Sequence, residues 1–354
     1  MSQETSEWLN QNVLVGFTSK RGNAWHYKES DQGDEPNHYE MNIPVEDVER
    51  RLFYWDAVSF PVSVTVPTTA VDPHIDGLDK LTGTPYKHKR IEDWQAIGRS
   101  DTNEVFRMFK HTYAIHQYKD WLLDTVANLV DDTDIAIASA GLLKNGGVAW
   151  VSIELPDNIK TPQGFDIRPQ LLATTSHDGS LATTFKQTAT AVVCDNTLAW
   201  GLRDGGQVSR VRHTTNSGFK LQNVREALDL VHLAGDDVMA EIERLSNIKV
   251  NDFQFDRILK NLIPVPSLDT SNQAGVTRAT NKKAKIRNLW NEDERVTQWK
   301  GTALGVIQAF NTYDHHYMGK KEKRVERNMN NALTGRTAKA DDLVLQTVLE
   351  TVGA

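Results

Sequence analysis

A chain of 354 residues with 39% hydrophobic and 25% charged residues has the ordinary make-up of a globular protein that buries a sizeable core. Its single cysteine, Cys194, excludes an intrachain disulfide framework and a cysteine-cluster zinc site. The net charge of −7 argues on its face against a nucleic-acid partner, but twelve basic and six acidic residues between Arg278 and Arg327 make that segment +6 and leave −13 for the rest.

Residues 1–44 are polar and turn-rich, and read as an extended arm or loose cap that carries no signal-peptide pattern. From Val45 to Trp55, acids in the first turn followed by apolar residues at helical spacing predict a short helix. Val58 to Val66 alternates with β-branched residues, a strand. Pro73, Gly77, Gly83 and Pro85 mark 68–85 as a loop. Trp94–Gly98 and Glu104–Phe109 flank Ser100-Asp101-Thr102-Asn103 as a hairpin. Ile115–Leu129 sets Trp121, Leu122, Val126 and Leu129 on one face, an amphipathic helix.

Ile135–Leu143 and Val148–Leu155 bracket Asn145-Gly146-Gly147, a hairpin turn because Asn and Gly tolerate positive φ. Gln170–Thr175 and Leu181–Val193 surround a second turn, His177-Asp178-Gly179-Ser180. From Phe219 the apolar period changes from two to about 3.6. Helices are expected over 224–245, 253–262, 280–299, 303–314 and 321–333. Strands in the middle followed by helices predict an α+β fold, a central antiparallel sheet of hairpins with a helical C-terminal half. The expected division is an arm with a short helix and strand at 1–90, a β core at 91–215 and a basic helical region at 216–354.

The chemistry-bearing residues cluster in the β core. His177 beside Asp178 could be a base with an orienting carboxylate, but Asp-Gly is also a favoured hairpin turn, and that structural or binding role is preferred. Cys194 with Asn196 and either His177 or His213 has the residue types of a thiol nucleophile site. Ala191-Val192-Val193 instead makes Cys194 the end of a buried strand, with Asn196 and Thr197 capping a short helix over 198–202. Asp314-His315-His316 lacks the three- or four-residue spacing of helical metal ligands, and no glycine run has phosphate-loop spacing. Neither a metal nor a cofactor is expected.

The basic helices carry the better physical signal. Arg278, Lys282 and Lys285 fall on one side of one helix, with Lys283 and Arg287 beside them, while Ile286, Leu289 and Trp290 lie opposite. Lys320, Arg324 and Arg327 repeat the spacing, with Lys321 alongside and Glu322 and Glu326 interrupting. Basic stripes with nearby aromatics suit a groove that tracks a phosphate backbone. Trp290, Trp299 and Phe310 are expected to leave apolar surface for self-association into a ring or filament.

Ser176-His177-Asp178-Gly179-Ser180, Val192-Val193-Cys194 with Asn196-Thr197, and His213-Thr214 together resemble the domain-of-unknown-function family labelled "phage/plasmid-like protein". The segment from Trp299 to Tyr317, with Phe310-Asn311 and Asp314-His315, is also similar to that family. Two departures stand out: Tyr27-Lys28 follows Trp25-His26 where the family carries glycines, and Ala191 stands where it carries arginine. The resemblance implies a DNA-metabolism protein that binds single-stranded DNA or anneals strands; the lack of a long apolar run and of a signal-peptide pattern gives a cytoplasmic protein, in the host if phage-encoded, with no membrane partner. The alternatives are an enzyme in which His177, Asp178, Cys194, Asn196 and His213 converge, and a non-catalytic phage assembly or host-interaction protein.

Overall fold

Alternating apolar residues become strands, and the Asn145 turn organises the larger of two sheets. The computed structural model describes residues 11–23, 29–32, 34–69, 74–124, 126–127, 136–154, 159–160, 166–191, 197–198, 209–211, 240–266, 273–320, 324–333 and 335–353. In chain order the strands are β1 (Val13–Val15), β2 (Ala57–Pro67), β3 (Gly77–Leu78), β4 (Pro85–Arg99), β5 (Val105–Lys110) and β6 (Ala136–Leu143). They continue with β7 (Val148–Glu154), β8 (Ile159–Lys160), β9 (Asp166–Ser176), β10 (Thr183–Ala191), β11 (Thr197–Leu198) and β12 (Ser209–Val211). The fold is α+β, as expected. The larger sheet runs β1-β6-β7-β9-β10-β11, with β8 also on β9 and β12 also on β10; the smaller runs β2-β4-β3 with β5 on β4. Every pair in them is antiparallel.

Strand β7 is buried along its whole length because both of its faces are covered. Ala149, Val151 and Ile153 enter a core with Leu52, Leu122 and Leu171, while Val148 and Trp150 join Val13 and Leu143 in a smaller cluster. Trp150 lies over its cross-strand partner Gly141, where a Cβ would sit 2.1 Å from the indole, so only glycine fits. The N-terminal stretch is not loose throughout. Its apolar Val13-Leu14-Val15 forms the edge strand beside β6, hidden in the sequence by polar neighbours.

Helix α1 (Thr18–Arg21) is a single turn, and α2 (Val45–Leu52) buries Val48 and Leu52 as its spacing predicts. The helix expected over 115–129 opens only at Tyr118 and winds as a π-helix at Lys119–Leu123, so that consecutive Leu122 and Leu123 both face the core. The expected loop at 68–85 holds β3, and Thr197–Leu198, expected to open a short helix, pairs instead with Thr190 and Ala189 of β10. Cross-strand pairing with β10 outweighs the capping preference of Thr197 there.

After helical residues 240–247, the C-terminal half consists of α3 (Asp252–Leu262), α4 (Gln273–Glu292), α5 (Glu294–Thr297), α6 (Ala303–His316), α7 (Arg324–Leu333) and α8 (Arg336–Val352). The single helix expected over 280–299 breaks at Asp293, whose carboxylate accepts from the Arg295 amide and starts α5. Helix α8 was not anticipated by the periodicity. Phe255, Ile258, Leu289, Val306, Ile307 and Val348 form a second core. Trp290, Trp299 and Phe310 belong to it and are buried, so they do not supply the apolar surface expected for self-association. Among the described residues no helix is long and apolar enough to cross a membrane.

The central turn and a candidate nucleic-acid interface

Each residue of the Ser176–Ser180 turn has a place in the local structure. Ser176 Oγ accepts from the Leu181 amide and donates to the Leu181 carbonyl, both at 2.9 Å, closing the turn. The His177 and Asp178 amides both donate to the Gly147 carbonyl, at 2.8 and 3.2 Å, and so tie this turn to the β6–β7 turn. Asp178 Oδ1 accepts from the Ser180 amide at 2.8 Å, while Oδ2 takes the Lys144 ammonium at 2.8 Å. Gly179 sits at φ +69 beneath the Phe109 ring.

The His177 side chain is completely buried and serves as a panel in an aromatic cage. Its ring stacks on Tyr118 at 3.9 Å and on Phe106 at 6.0 Å, with Trp55 edge-on at 6.0 Å. The turn opposite holds three successive residues in left-handed conformation, Lys144, Asn145 and Gly146. Tyr118 Oη donates to the Gly146 carbonyl at 2.7 Å and Arg99 donates to that of Asn145 at 3.1 Å. Arg99 also lies over the Trp55 ring at 4.2 Å.

Electrostatics follow from burial and these bonds. Burial pushes the Asp178 carboxyl up, but the Lys144 and Ser180 hydrogen bonds outweigh it and hold the group below the usual carboxylate range. Burial holds Tyr118 and Tyr113 protonated well above the ordinary tyrosine range, with the Asp178 charge adding to it at Tyr113.

The cage is held by packing and hydrogen bonding. The Asp178 carboxylate turns to Lys144 and Ser180 and not to the His177 ring, so the base–orienter pair that the sequence allowed is not assembled. Cys194, Asn196 and His213 lie outside the described residues. Among the described residues no group of three His, Cys, Asp or Glu is placed to hold a metal. A nearby cleft of about 380 Å³ is lined by Arg50, Arg51, Arg99, Tyr54 and Trp55. Its arginines are committed to Glu35, the Pro36 carbonyl and Asp101.

The basic helices divide into two kinds of residue. On α4, Ile286, Leu289 and Trp290 are buried as expected, which turns Lys282 and Lys285 toward the end of α6. There the Lys285 ammonium lies 4.0 Å from the Tyr317 ring centre and that of Lys282 lies 5.0 Å from Tyr313. The two tyrosines are four residues apart and share one side of the helix end. Asp314 approaches Lys282 at 4.0 Å, and burial raises its carboxyl against the pull of Lys282 and Arg327. Arg278 and Lys320 are exposed, and Lys283 is half-buried. Arg287 is paired with Asp256.

Arg324 and Arg327 have structural work instead. Arg324 donates to the Met318 and Gly319 carbonyls at 3.3 Å, and Arg327 reaches those of Asp314 and Met318. With Asn328, which donates to His315 O at 3.0 Å, they satisfy the open carbonyls at the end of α6. Lys321 lies outside the described residues. Sequence reasoning passed over Tyr313 and Tyr317, although their four-residue spacing near the helix end was a signal.

Residues 105–334 match the family model described as "Domain of unknown function (DUF932)", which is more than half of the chain. The chain belongs to that DUF932 family. The matched span of DUF932 runs from the start of β5 through α7, and so includes the central turn, the aromatic cage except Trp55, and the α4–α6 surface. Strands β1 to β4 and helix α8 fall outside it. No curated protein and no solved structure matches the chain.

Proposed function

We propose that this protein binds single-stranded DNA along the α4–α6 surface and serves strand annealing or handling in recombination or replication, in the cytoplasm, without catalysing a reaction. The observation that carries the reading is the pair of lysine–tyrosine contacts, Lys285 with Tyr317 and Lys282 with Tyr313. Ammonium groups beside aromatic faces supply what a single strand needs: cations for the phosphates and rings on which unpaired bases stack. Exposed Arg278 and Lys320 extend the basic surface to either side. The central turn supports the reading by its own structural commitments, which leave Asp178 engaged in the fold.

Self-association into a ring or filament is part of this proposal. Its support is the exposed Phe253 on α3 and Leu343 on α8, two helices that pack together. The test of the function is a titration of labelled oligothymidylate by fluorescence anisotropy at several salt concentrations, wild type against Lys282→Glu/Lys285→Glu. Each phosphate contact adds about −0.7 to the log–log salt slope on a single strand, so the variant should bind weakly and with a slope shallower by about 1.4. Equal affinity and slope in the two proteins would move the interface elsewhere, and no binding by the wild type would end the reading.

A further inference from the structure

Strands β2 and β4 continue well beyond the sheet that anchors them. Their pairing runs from Ala57↔Arg99 to Pro67↔Tyr86 and is broken by a bulge between Pro61↔Gln95 and Ser63↔Arg90. Strand β5 pairs with β4 only from Trp94 to Gly98. Beyond the bulge the two strands form a ribbon, joined near its end by the two-residue β3, and no residue of 63–67 or 85–91 is buried. A two-stranded ribbon with both faces in water is marginal by itself.

Cations stand on both faces of the ribbon. Cross-strand partners share a face, so Lys87 and Lys89 lie with Val66 and Val64, while Arg90 lies with Ser63 on the other face, where it meets the Glu92 carboxylate at 3.3 Å in an exposed pair that a phosphate would have to displace. Among the described residues of the tip, Asp76 and Asp79 are turned to the backbone. Asp79 accepts from the Leu81 and Thr82 amides at 3.0 and 2.8 Å, and Asp76 accepts from the His88 amide. Lys80 is exposed next to them. The tip itself is apolar, with Leu81 97% and Leu78 61% exposed.

We infer that this ribbon is an arm that grips duplex DNA, lying in a groove with its cations on the phosphates of both walls and Leu81 against the base steps. A groove admits a two-stranded ribbon, and architectural proteins that bend duplexes insert apolar wedges between bases. Cations on both faces suit two phosphate walls. A membrane surface would call for them on one side around the apolar tip. The arm lies outside the DUF932 match and concerns duplex rather than single-stranded DNA, so it stands or falls separately from the α4–α6 interface.

The test uses the full chain, a labelled duplex and Lys80→Glu/Lys89→Glu/Arg90→Glu, all at exposed positions. Three lost contacts should make the salt slope shallower by about 2.7, which is roughly a 40-fold smaller loss of affinity between about 50 and 200 mM salt. Duplex affinity at low salt should fall at least about tenfold, with the melting temperature and oligothymidylate binding unchanged. Leu81→Ser should reduce the bend read by energy transfer between dyes at the duplex ends. If charge reversal unfolds the protein, Lys80→Gln/Lys89→Gln/Arg90→Gln carries the same expectation. Unchanged duplex affinity and slope, absence of duplex binding by the wild type, or loss of binding to phosphatidylserine vesicles with duplex binding intact would each overturn the inference.

Discussion

Replacing Gly179 by alanine tests whether the central turn is architecture. Two costs arise together. At φ +69 an L side chain is crowded by its own backbone, a penalty of about 1–2 kcal/mol. The added Cβ would also lie 2.7 Å from Phe109 Cε1 and 2.9 Å from its Cζ, against a normal carbon contact of about 3.5–4.0 Å. The ring stacks on Tyr113 at 4.0 Å and cannot retreat without disturbing it, so overpacking adds about 1–3 kcal/mol. The sum of about 2–5 kcal/mol corresponds to a melting temperature lower by about 4–20 °C for a unit of this size. Differential scanning calorimetry would measure it. In a double-mutant cycle Phe109→Leu should relieve the steric part, giving a coupling of about 1 kcal/mol or more. Below its melting temperature Gly179→Ala should bind oligothymidylate as the wild type does. A melting temperature within a degree of wild type, or no coupling to Phe109, would refute the argument.

Three further outcomes follow from named contacts. Asp178 has a folded-state pKa below its unfolded value, so its contribution to stability is present above the unfolded value and is lost as pH falls through the folded one. Asp178→Asn should therefore cost about 1 kcal/mol at neutral pH, with the gap from wild type closing below about pH 4 in thermal melts. Arg327→Ala removes donors from the Asp314 and Met318 carbonyls and should cost about 1–2 kcal/mol, read as a lower urea midpoint, while leaving the salt slope of DNA binding unchanged. Tyr317→Ala should weaken oligothymidylate binding by about 1–3 kcal/mol, roughly 5- to 150-fold, with little effect on melting.

Much of the fold was legible because local chemistry and tertiary packing agree. Asn145-Gly146 announces a turn because both residues tolerate the positive φ they adopt, and the hairpin β6–β7 forms around it. Helix α3 follows from apolar spacing because one face enters the second core, whereas α6 is buried on all sides from Ala303 to Thr312 and was legible from its continuous apolar run. One strand of the ribbon, β2, was legible from the alternation of Val58–Val66, whereas β3 lies in the stretch 68–85 read as a loop, because its glycines and prolines mask a pairing fixed by long-range partners. The site was legible in part. Lys282 and Lys285 were singled out by spacing, but the roles of Arg324 and Arg327 depend on where α6 ends and α7 begins, which periodicity does not reveal. His177 and Asp178 adjoin in sequence, and only the third dimension shows the ring going to Tyr118 and the carboxylate to Lys144.

Photocrosslinking tests the α4–α6 interface most directly. An oligonucleotide carrying 5-bromodeoxyuridine, irradiated in complex with the full chain and mapped by mass spectrometry, should attach to Tyr317 or Tyr313, with the crosslink lost in Lys282→Glu/Lys285→Glu. Crosslinks confined to another surface, or an equal yield from the variant, would contradict the assignment.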